Sequence, residues 1–341
     1  VAITIKEIAE KAGVSRSTVS RALKDHSSIS AATKQRVQTI AQELGYVPNY
    51  IAQSLSINRT RTIGVVITHL LNPFSWRIVE GVDLAAHDLG YSVIISSSRN
   101  DRARELDVIQ AFQRRRVDGI IVSSSHLGTY YSSVLNMVDI PVVLINEQQP
   151  GDNIWSVTND DYSSARMAVE YLLEIGHRQI GYVGILDRPR SNERRYEGYY
   201  DAMVAAGLTP FKSFHGQSRT LDFTTAHSDF ETGREATQSI IETGLSAVFC
   251  YNDSVALGVI AGLRERGLNV PQDISVVGYD DLDEASRSVP PLTTIRQPKM
   301  ALGSGAVQML NELLEGKTVE NRILPCELII RDSAQPFASQ L

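Results

Sequence analysis

Ser15-Arg16-Ser17-Thr18-Val19-Ser20-Arg21-Ala22-Leu23 is the stretch on which the rest of the chain turns. In a helix, Val19, Ala22 and Leu23 share one face by i, i+3, i+4 spacing, and Arg16, Ser17, Ser20 and Arg21 point elsewhere. A short helix rich in hydroxyls and arginine suits the major groove of DNA. Arginine reaches a guanine edge bidentately, and serine or threonine bonds base edges or phosphates. A solvated amphipathic helix would carry the same residues, so the flanking sequence has to decide.

Upstream, Thr4 and Glu7 have the spacing of a capping box, and Ile5, Ile8, Ala9 and Ala12 form an apolar stripe behind them. Gly13 is placed to end that helix, Val14 to plug it, and Ser15 to cap the next one. This predicts a helix-turn-helix. Downstream, Ser30 caps a third helix with a buried face of Val37, Ile40, Ala41 and Leu44, and Gly45 stops it. Pro48 blocks continuation. Asn49 can cap a further short segment, in which Ala52 and Leu55 lie three apart on one face. A polar linker, Ile57 to Thr62, leads into the remainder.

Charge is distributed unevenly along the 341 residues. Residues 1–61 hold nine Lys and Arg against four Asp and Glu, a balance of +5, so the net −6 of the whole chain leaves −11 for residues 62–341. A basic head on an acidic body is the footprint of a polyanion-binding module. With 43% hydrophobic and 21% charged residues the chain reads as an ordinary soluble globular protein. No apolar run approaches the ~18 residues of a membrane span, so no membrane partner is expected. Lys6, Glu7, Glu10 and Lys11 break any signal-peptide core, and a cytoplasmic location is the expectation. Cys250 and Cys326 both lie in apolar strand-like runs, which favours buried thiols over a disulfide or metal site.

Beyond residue 62 short apolar runs alternate with longer amphipathic ones. Ile63–Ile67, Ser92–Ser96, Gly119–Ser123, Val142–Ile145, Ile180–Val183, Ala247–Cys250 and Ile274–Val277 read as strands. Ile78–Leu89, Glu105–Arg115, Tyr162–Ile175, Arg195–Ala205, Glu231–Thr243 and Val255–Arg266 read as helices. Such alternation predicts parallel α/β sheets with right-handed crossovers. A break near Asn159 divides it in two, and Leu292–Gln297 and Glu327–Arg331 look like late strands crossing back.

The head resembles that of the lactose-repressor/galactose-repressor (LacI/GalR) family. The resemblance rests on Thr4 to Ala9, Ala12 to Ser15, Thr18 to Leu23, and the ending Leu44-Gly45-Tyr46-Val47-Pro48-Asn49 followed by Ala52, Ser54 and Leu55. It continues through Val117 to Ile121, Ile175 to Gly181, Arg195 to Tyr199, Asn252-Asp253, Gly278 to Asp281 and Pro291 to Gln297, nearly the whole chain. It implies a small all-α helix-turn-helix head and an α/β periplasmic-binding-protein-like body of two Rossmann-like lobes joined by three crossovers. The expected domains are residues 1–47 for DNA binding, 48–61 as hinge helix and linker, and 62–341 for effector binding and dimerisation. Within the body, a first lobe of about 62–159 plus 293–321 and a second of about 160–292 plus 322–341 are expected.

The resemblance also implies roles. Arg16 and Ser17 open the recognition helix, with Thr4, Ser15, Thr18, Ser20 and Arg21 sharing base and phosphate contacts. Asn49, Ala52 and Leu55 belong to a hinge helix that pairs across a homodimer and wedges Leu55 into the minor groove of a near-palindromic operator. Carry-over for effector binding picks Asn72, Phe74, Trp76, Asn146, Arg195, Phe223, Asn252, Asp280 and Gln297, most of them just after strand ends, where open α/β sheets bind ligands. A carboxylate, amides, a guanidinium and an aromatic face suit a sugar. Alternatives are a structural salt bridge for Asp280 and Arg195, an N-cap for Asn252, and lobe packing for Phe74 and Trp76; Trp155 reads as core. The charged stretch Leu186 to Arg194 reads as a loop at the mouth of the cleft.

No catalytic constellation is evident. Gly181-Tyr182-Val183-Gly184 is no phosphate loop, the seven histidines lack metal spacing, no Gly-x-Ser-x-Gly elbow occurs, and His177 fits a structural turn. No cofactor or metal is expected. The expectation is therefore a DNA-binding regulator, a repressor working as a homodimer and released by a sugar. The runner-up is a purine- or nucleoside-responsive or corepressed regulator. A solute-binding module and an enzyme are the readings from other classes.

Overall fold

The structure, a computed structural model, describes residues 3–46, 59–70, 72–123, 140–146, 155–185, 189–211 and 225–337. Asn49, Ala52, Leu55 and Phe223 lie outside these. The chain divides into two compact units, Val1–Thr60 and Arg61–Leu341.

The first unit contains α1 (Ile5–Ala12), α2 (Arg16–Leu23) and α3 (Ala31–Glu43). Each begins at a side-chain cap predicted from sequence: Thr4, Ser15 and Ser30. The Thr4–Glu7 capping box is complete, with the Thr4 N–H donating to Glu7 Oε2 at 2.6 Å. Gly13 adopts φ +65°, which an L side chain resists, and lets Val14 N–H return to the Ala9 carbonyl at 3.1 Å. Ile8, Ala9, Ala12, Val19, Ala22, Val37 and Ala41 form a shared core, with Tyr46 and Leu44 packed against it.

The second unit has two lobes. The first carries a parallel sheet in the order β10-β5-β4-β3-β1-β2, where β1 is Thr62–Ile67, β2 Ser92–Ser97, β3 Gly119–Ser123, β4 Val142–Ile145, β5 Trp155–Asn159 and β10 Arg322–Leu324. Helices α4 (Pro73–Asp88) and α5 (Arg102–Arg114) belong to this lobe, as does the late helix α11 (Lys299–Leu314), which packs on α4. A methyl on Gly303 would overlap the Ile78 carbonyl, and one on Gly81 the Met300 carbonyl. The two helices therefore touch backbone to backbone.

The second lobe carries the sheet β11-β9-β8-β7-β6, with β6 Ile180–Val183, β7 Ala247–Cys250, β8 Ser275–Asp280 and β9 Thr293–Arg296 parallel and β11 Glu327–Ile329 antiparallel to β9. Around it lie α6 (Asp161–Glu174), α7 (Pro189–Ala205), α8 (Thr225–Glu242), α9 (Asp253–Glu265) and α10 (Asp283–Arg287). Its core is rich in buried aromatics whose polar ends are satisfied. Tyr199, fully buried, donates to the Ile180 carbonyl and accepts from Phe211 N–H, both at 2.9 Å.

The chain crosses between lobes after β5, after β9 and between β10 and β11. Two crossings are stitched together by the Asp160 N–H donating to the Leu324 carbonyl at 3.1 Å. Strand pairing corrects the expected lobe boundaries. Thr293–Arg296 pairs with β8 and so belongs to the second lobe, and Arg322–Leu324 pairs with β5 and so belongs to the first. The reason is that a strand belongs to the sheet whose backbone groups it satisfies, and neither run shows its partner in its own residues. Trp155–Asn159 is a strand the alternation did not reveal, because polar Ser156 and Thr158 interrupt it. The expected loop over Leu186 to Arg194 also yields in part: helix α7 begins at Pro189.

Candidate functional site

In the head, Ser15 caps α2 by accepting Thr18 N–H at 3.1 Å, and its hydroxyl lies 2.8 Å from both Ser17 Oγ and Thr18 Oγ1. Val19 and Ala22 are buried in the three-helix core, and Arg16, Ser17 and Arg21 are exposed. The helix is thus anchored by its apolar face and presents two guanidiniums and a hydroxyl to solvent. Lys6, Lys11 and Lys34 of the head are paired with Glu10, Glu43 and Asp25, whereas Arg16 and Arg21, like Lys24 and Arg36, form no ion pair among the described residues.

In the body, a polar network lies at the carboxyl ends of both sheets. Asn146 follows β4 of the first lobe, and its Nδ2 donates to Gln297 Oε1 at 3.2 Å. Gln297 follows β9, and its Nε2 donates to Asp280 Oδ1 at 2.6 Å. Asp280 ends β8 of the second lobe. Three of the residues selected from sequence therefore form one relay across the lobes, and Asp280 and Gln297 are both nearly fully buried.

Arg195, on α7, is 4% exposed. Its Nε donates to Asp161 Oδ1 at 2.7 Å and its Nη1 to the Tyr251 carbonyl at 2.6 Å. Its guanidinium carbon sits 3.6 Å from the Tyr279 ring centre and 4.5 Å from that of Tyr251. Burial opposes its charge, but Asp161, supported by the polar ends of Tyr251 and Tyr279 and by Asp280, outweighs this and raises its pKa further. Asp161 Oδ1 also accepts from Asn159 Nδ2 at 2.8 Å and from the Tyr279 hydroxyl at 3.1 Å. The salt-bridge alternative for Arg195 is therefore realised, with Asp161 as the partner.

Asn252 uses its amide on both sides. Oδ1 caps α9 by accepting Val255 N–H at 2.9 Å, and Nδ2 donates to Asp229 Oδ2 at 2.7 Å. Asn72 caps α4, accepting Phe74 N–H at 3.0 Å. Phe74 lies in the core of the first lobe with Ile78 and Leu302, so lobe packing describes it, and Trp76 on the same helix is half exposed.

Thr68 Oγ1, Ser123 Oγ and Asn159 Oδ1 are buried with no hydrogen-bond partner among the described residues. They sit at or just beyond the carboxyl ends of β1, β3 and β5 of the first lobe. A crevice at this end of the sheet is lined by Asn146, Asn159, Asp161, Tyr162, Arg190 and Ser191. Sequence reasoning missed Thr68, Ser123, Asn159 and Asp161. For Thr68 and Ser123 the available signal was position at or just after a strand end read from sequence; Asn159 and Asp161 follow a strand that the alternation did not reveal, so that signal was lacking for them. Among the described residues no group of three or more His, Cys, Asp or Glu is placed to hold a metal ion, and no helix is long and apolar enough to cross a membrane. Cys250 and Cys326 are free and buried, and burial raises the Cys326 thiol to about 11.

Residues 4–49 match the family model for bacterial regulatory proteins of the lacI family, and residues 169–334 match a periplasmic-binding-protein-like domain. The HTH-type transcriptional repressor CytR of Escherichia coli (strain K12) is 33% identical over 339 residues, spanning 98% of this chain and 97% of that protein. The chain belongs to the lacI family. The lac repressor dimer bound to operator and the anti-inducer ONPF superposes with a TM-score of 0.86 at 30% identity, covering 98% of this chain and 100% of that one. The transcriptional regulator CelR in complex with cellobiose has a TM-score of 0.70 at 28% identity, covering 97% and 99%. The protein is accordingly a DNA-binding transcriptional regulator with an effector-binding body, and not an enzyme.

Proposed function

We propose that the protein represses transcription as a homodimer on a near-palindromic operator and is released from it by a sugar. Arg16 and Ser17 read bases, Thr4, Ser15, Thr18, Ser20 and Arg21 share base and phosphate contacts, and Asn49, Ala52 and Leu55 form the hinge that kinks the operator. The observation that carries the sugar reading is the set of buried polar atoms without partners among the described residues, Thr68 Oγ1, Ser123 Oγ and Asn159 Oδ1, at the carboxyl end of the first sheet as Asp280 is at that of β8. Buried polar groups are stable when hydrogen-bonded, and a hydroxyl-dense ligand offers a donor and an acceptor at each position. Complexes with cellobiose and with ribose in related regulators point to the same ligand class.

In this reading, Asn146, Arg195, Asn252, Asp280 and Gln297 contact the sugar or orient those that do, Asn72 and Trp76 border the site, and Phe223 supplies a stacking face. Sugar binding changes the angle between the lobes and frays the paired hinges, so sugar and operator affinities are coupled reciprocally. A gel-shift assay on the gene's own upstream DNA tests the regulator. Retarded bands at low salt that disappear on adding one of a panel of pentoses, hexoses and disaccharides are expected. Tighter binding on adding a ribonucleoside or purine, with no response to any sugar, would replace this reading with corepression.

A further inference from the structure

The chain turns abruptly after β8. Asp280 has φ +119° and Asp281 φ +51°, both in the left-handed region that non-glycine residues avoid. Such residues persist only where their surroundings over-determine them. Here the Lys299 ammonium donates to the backbone carbonyl of Asp280 and, at 3.0 Å, to that of Asp281. The Asp281 carboxylate is held by Arg331 Nη2 at 2.5 Å and Arg296 Nε at 2.7 Å. Asp253 Oδ2 accepts the Leu282 N–H at 2.7 Å.

These contacts do not all belong to one lobe. Arg296, Arg331 and Asp253 are residues of the second lobe, as is the turn itself. Lys299 opens α11, which packs on α4 and on the first sheet. It is 9% exposed, so its charge is satisfied by the turn it grips and not by water. Leu282, two residues beyond Asp280, buries its side chain in the first-lobe core with Phe74, Ile78 and Leu302. The turn that follows Asp280 is thus pinned to the opposite lobe twice, by an ammonium on its carbonyls and by a leucine in the facing core.

We propose that Lys299 is a positioning residue that ties the Asp280–Leu282 turn of the second lobe to helix α11 of the first, so that this link sets the angle between the lobes. Two lobes joined by crossing segments can rotate about them in a hinge-type motion, here restrained also by the Asn146–Gln297 bond. A buried contact on one side of those segments restricts that rotation. Any ligand that pulls on the Asp280 carboxylate then moves the first lobe through the turn. That motion rests on the effector reading of Asp280; the link itself does not. The ion pair between α4 and α10, Arg77 to Asp283 at 3.7 Å, joins half-exposed side chains and is a weak constraint.

The test measures the distance between lobes in the full chain without any effector. Spin labels are attached at Gln110→Cys on α5 and Glu235→Cys on α8, both exposed positions. The native Cys250 and Cys326 are buried and stay unlabelled. Labelled chains are diluted into excess unlabelled protein, and distances are read by pulsed electron paramagnetic resonance. The wild type and Arg77→Ala should give one narrow distribution. Lys299→Met should widen it roughly twofold or shift its mean, as expected when a hinge-type domain contact is released, and Lys299→Arg, which keeps the donors, should restore it. A folded Lys299→Met with the wild-type distribution overturns the proposal. If Lys299→Met does not fold, Leu282→Ala severs the same link from the other side; an unchanged distribution there overturns it equally. Because no sugar is needed, the result stands apart from the outcome of the sugar panel.

Discussion

The Arg195 guanidinium lies over the Tyr279 ring, 3.6 Å from its centre, while its Nε bonds Asp161 at 2.7 Å. Tyr279 also donates its hydroxyl to Asp161 at 3.1 Å. One carboxylate oxygen therefore fixes both members of the stack. A cation on an aromatic face is worth more where water is excluded, and this one is almost fully buried. Through Asp161 the stack joins α7 and the first turn of α6 to the end of β8, which makes it a structural anchor of the second lobe.

Arg195→Ala should therefore destabilise the protein by ~3–5 kcal/mol, the usual cost of leaving one member of a buried pair uncompensated. Arg195→Lys should recover only part of this, since lysine keeps the charge but not the planar fork or the stacking face. Urea denaturation followed by circular dichroism reads both, and a loss under ~1 kcal/mol for the alanine variant would mean that Asp161 finds another partner.

Asp280→Asn removes the charge that Gln297 and the proposed ligand share. A hydrogen bond to a charged group contributes ~1.5–3 kcal/mol, so sugar affinity should drop by roughly one to two orders of magnitude in isothermal titration calorimetry. Equal affinities for variant and wild type would place the sugar away from Asp280.

Arg16 is exposed at the first position of α2, and its proposed role is a bidentate guanine contact. Arg16→Ala should cost ~1–3 kcal/mol at one half-site position and relax base preference there. Fluorescence anisotropy over a set of single-base operator variants separates this from a phosphate contact, which would weaken all sequences alike.

His177 predicts a pH dependence of stability. Its Nε2 lies 3.1 Å from the Gln335 carbonyl, which can only accept, so Nε2 carries the proton and Nδ1 accepts from Ser246, 2.9 Å away. Burial, partly offset by the Gln335 bond, lowers its pKa below the ordinary histidine value. The unfolded chain then binds the proton more readily than the folded one. The stabilisation from His177 is complete above the unfolded pKa of about 6.5 and is lost as pH falls toward the lower folded value. The melting temperature should fall between about pH 7 and pH 5.5 in the wild type, and the slope should flatten in His177→Asn. Parallel slopes for the two proteins would assign the acid sensitivity to other groups.

The head is legible almost residue by residue. Thr4, Ser15, Ser30 and Gly13 act within a few residues of themselves, so cap spacing and apolar stripes mark the bounds and buried faces of α1 to α3 in the sequence. The strand–helix alternation of the body and the asymmetry of charge are equally local, whereas Asn146, Asp280 and Gln297 are reached through the family resemblance. Asn49, Ala52 and Leu55 rest on sequence alone.

Read along the chain, the residues specify a basic three-helix head on an acidic α/β body with polar groups at its strand ends, because each of these arises from periodicity, capping and composition over short spans. Three outcomes emerge only in the folded molecule. Thr293–Arg296 and Arg322–Leu324 exchange lobes, Asp161 becomes the partner of Arg195, and Lys299 grips the Asp280 turn from the opposite lobe. All three depend on which distant backbone groups and buried charges satisfy one another. A buried group's partner is selected by three-dimensional proximity, which no spacing along the chain encodes.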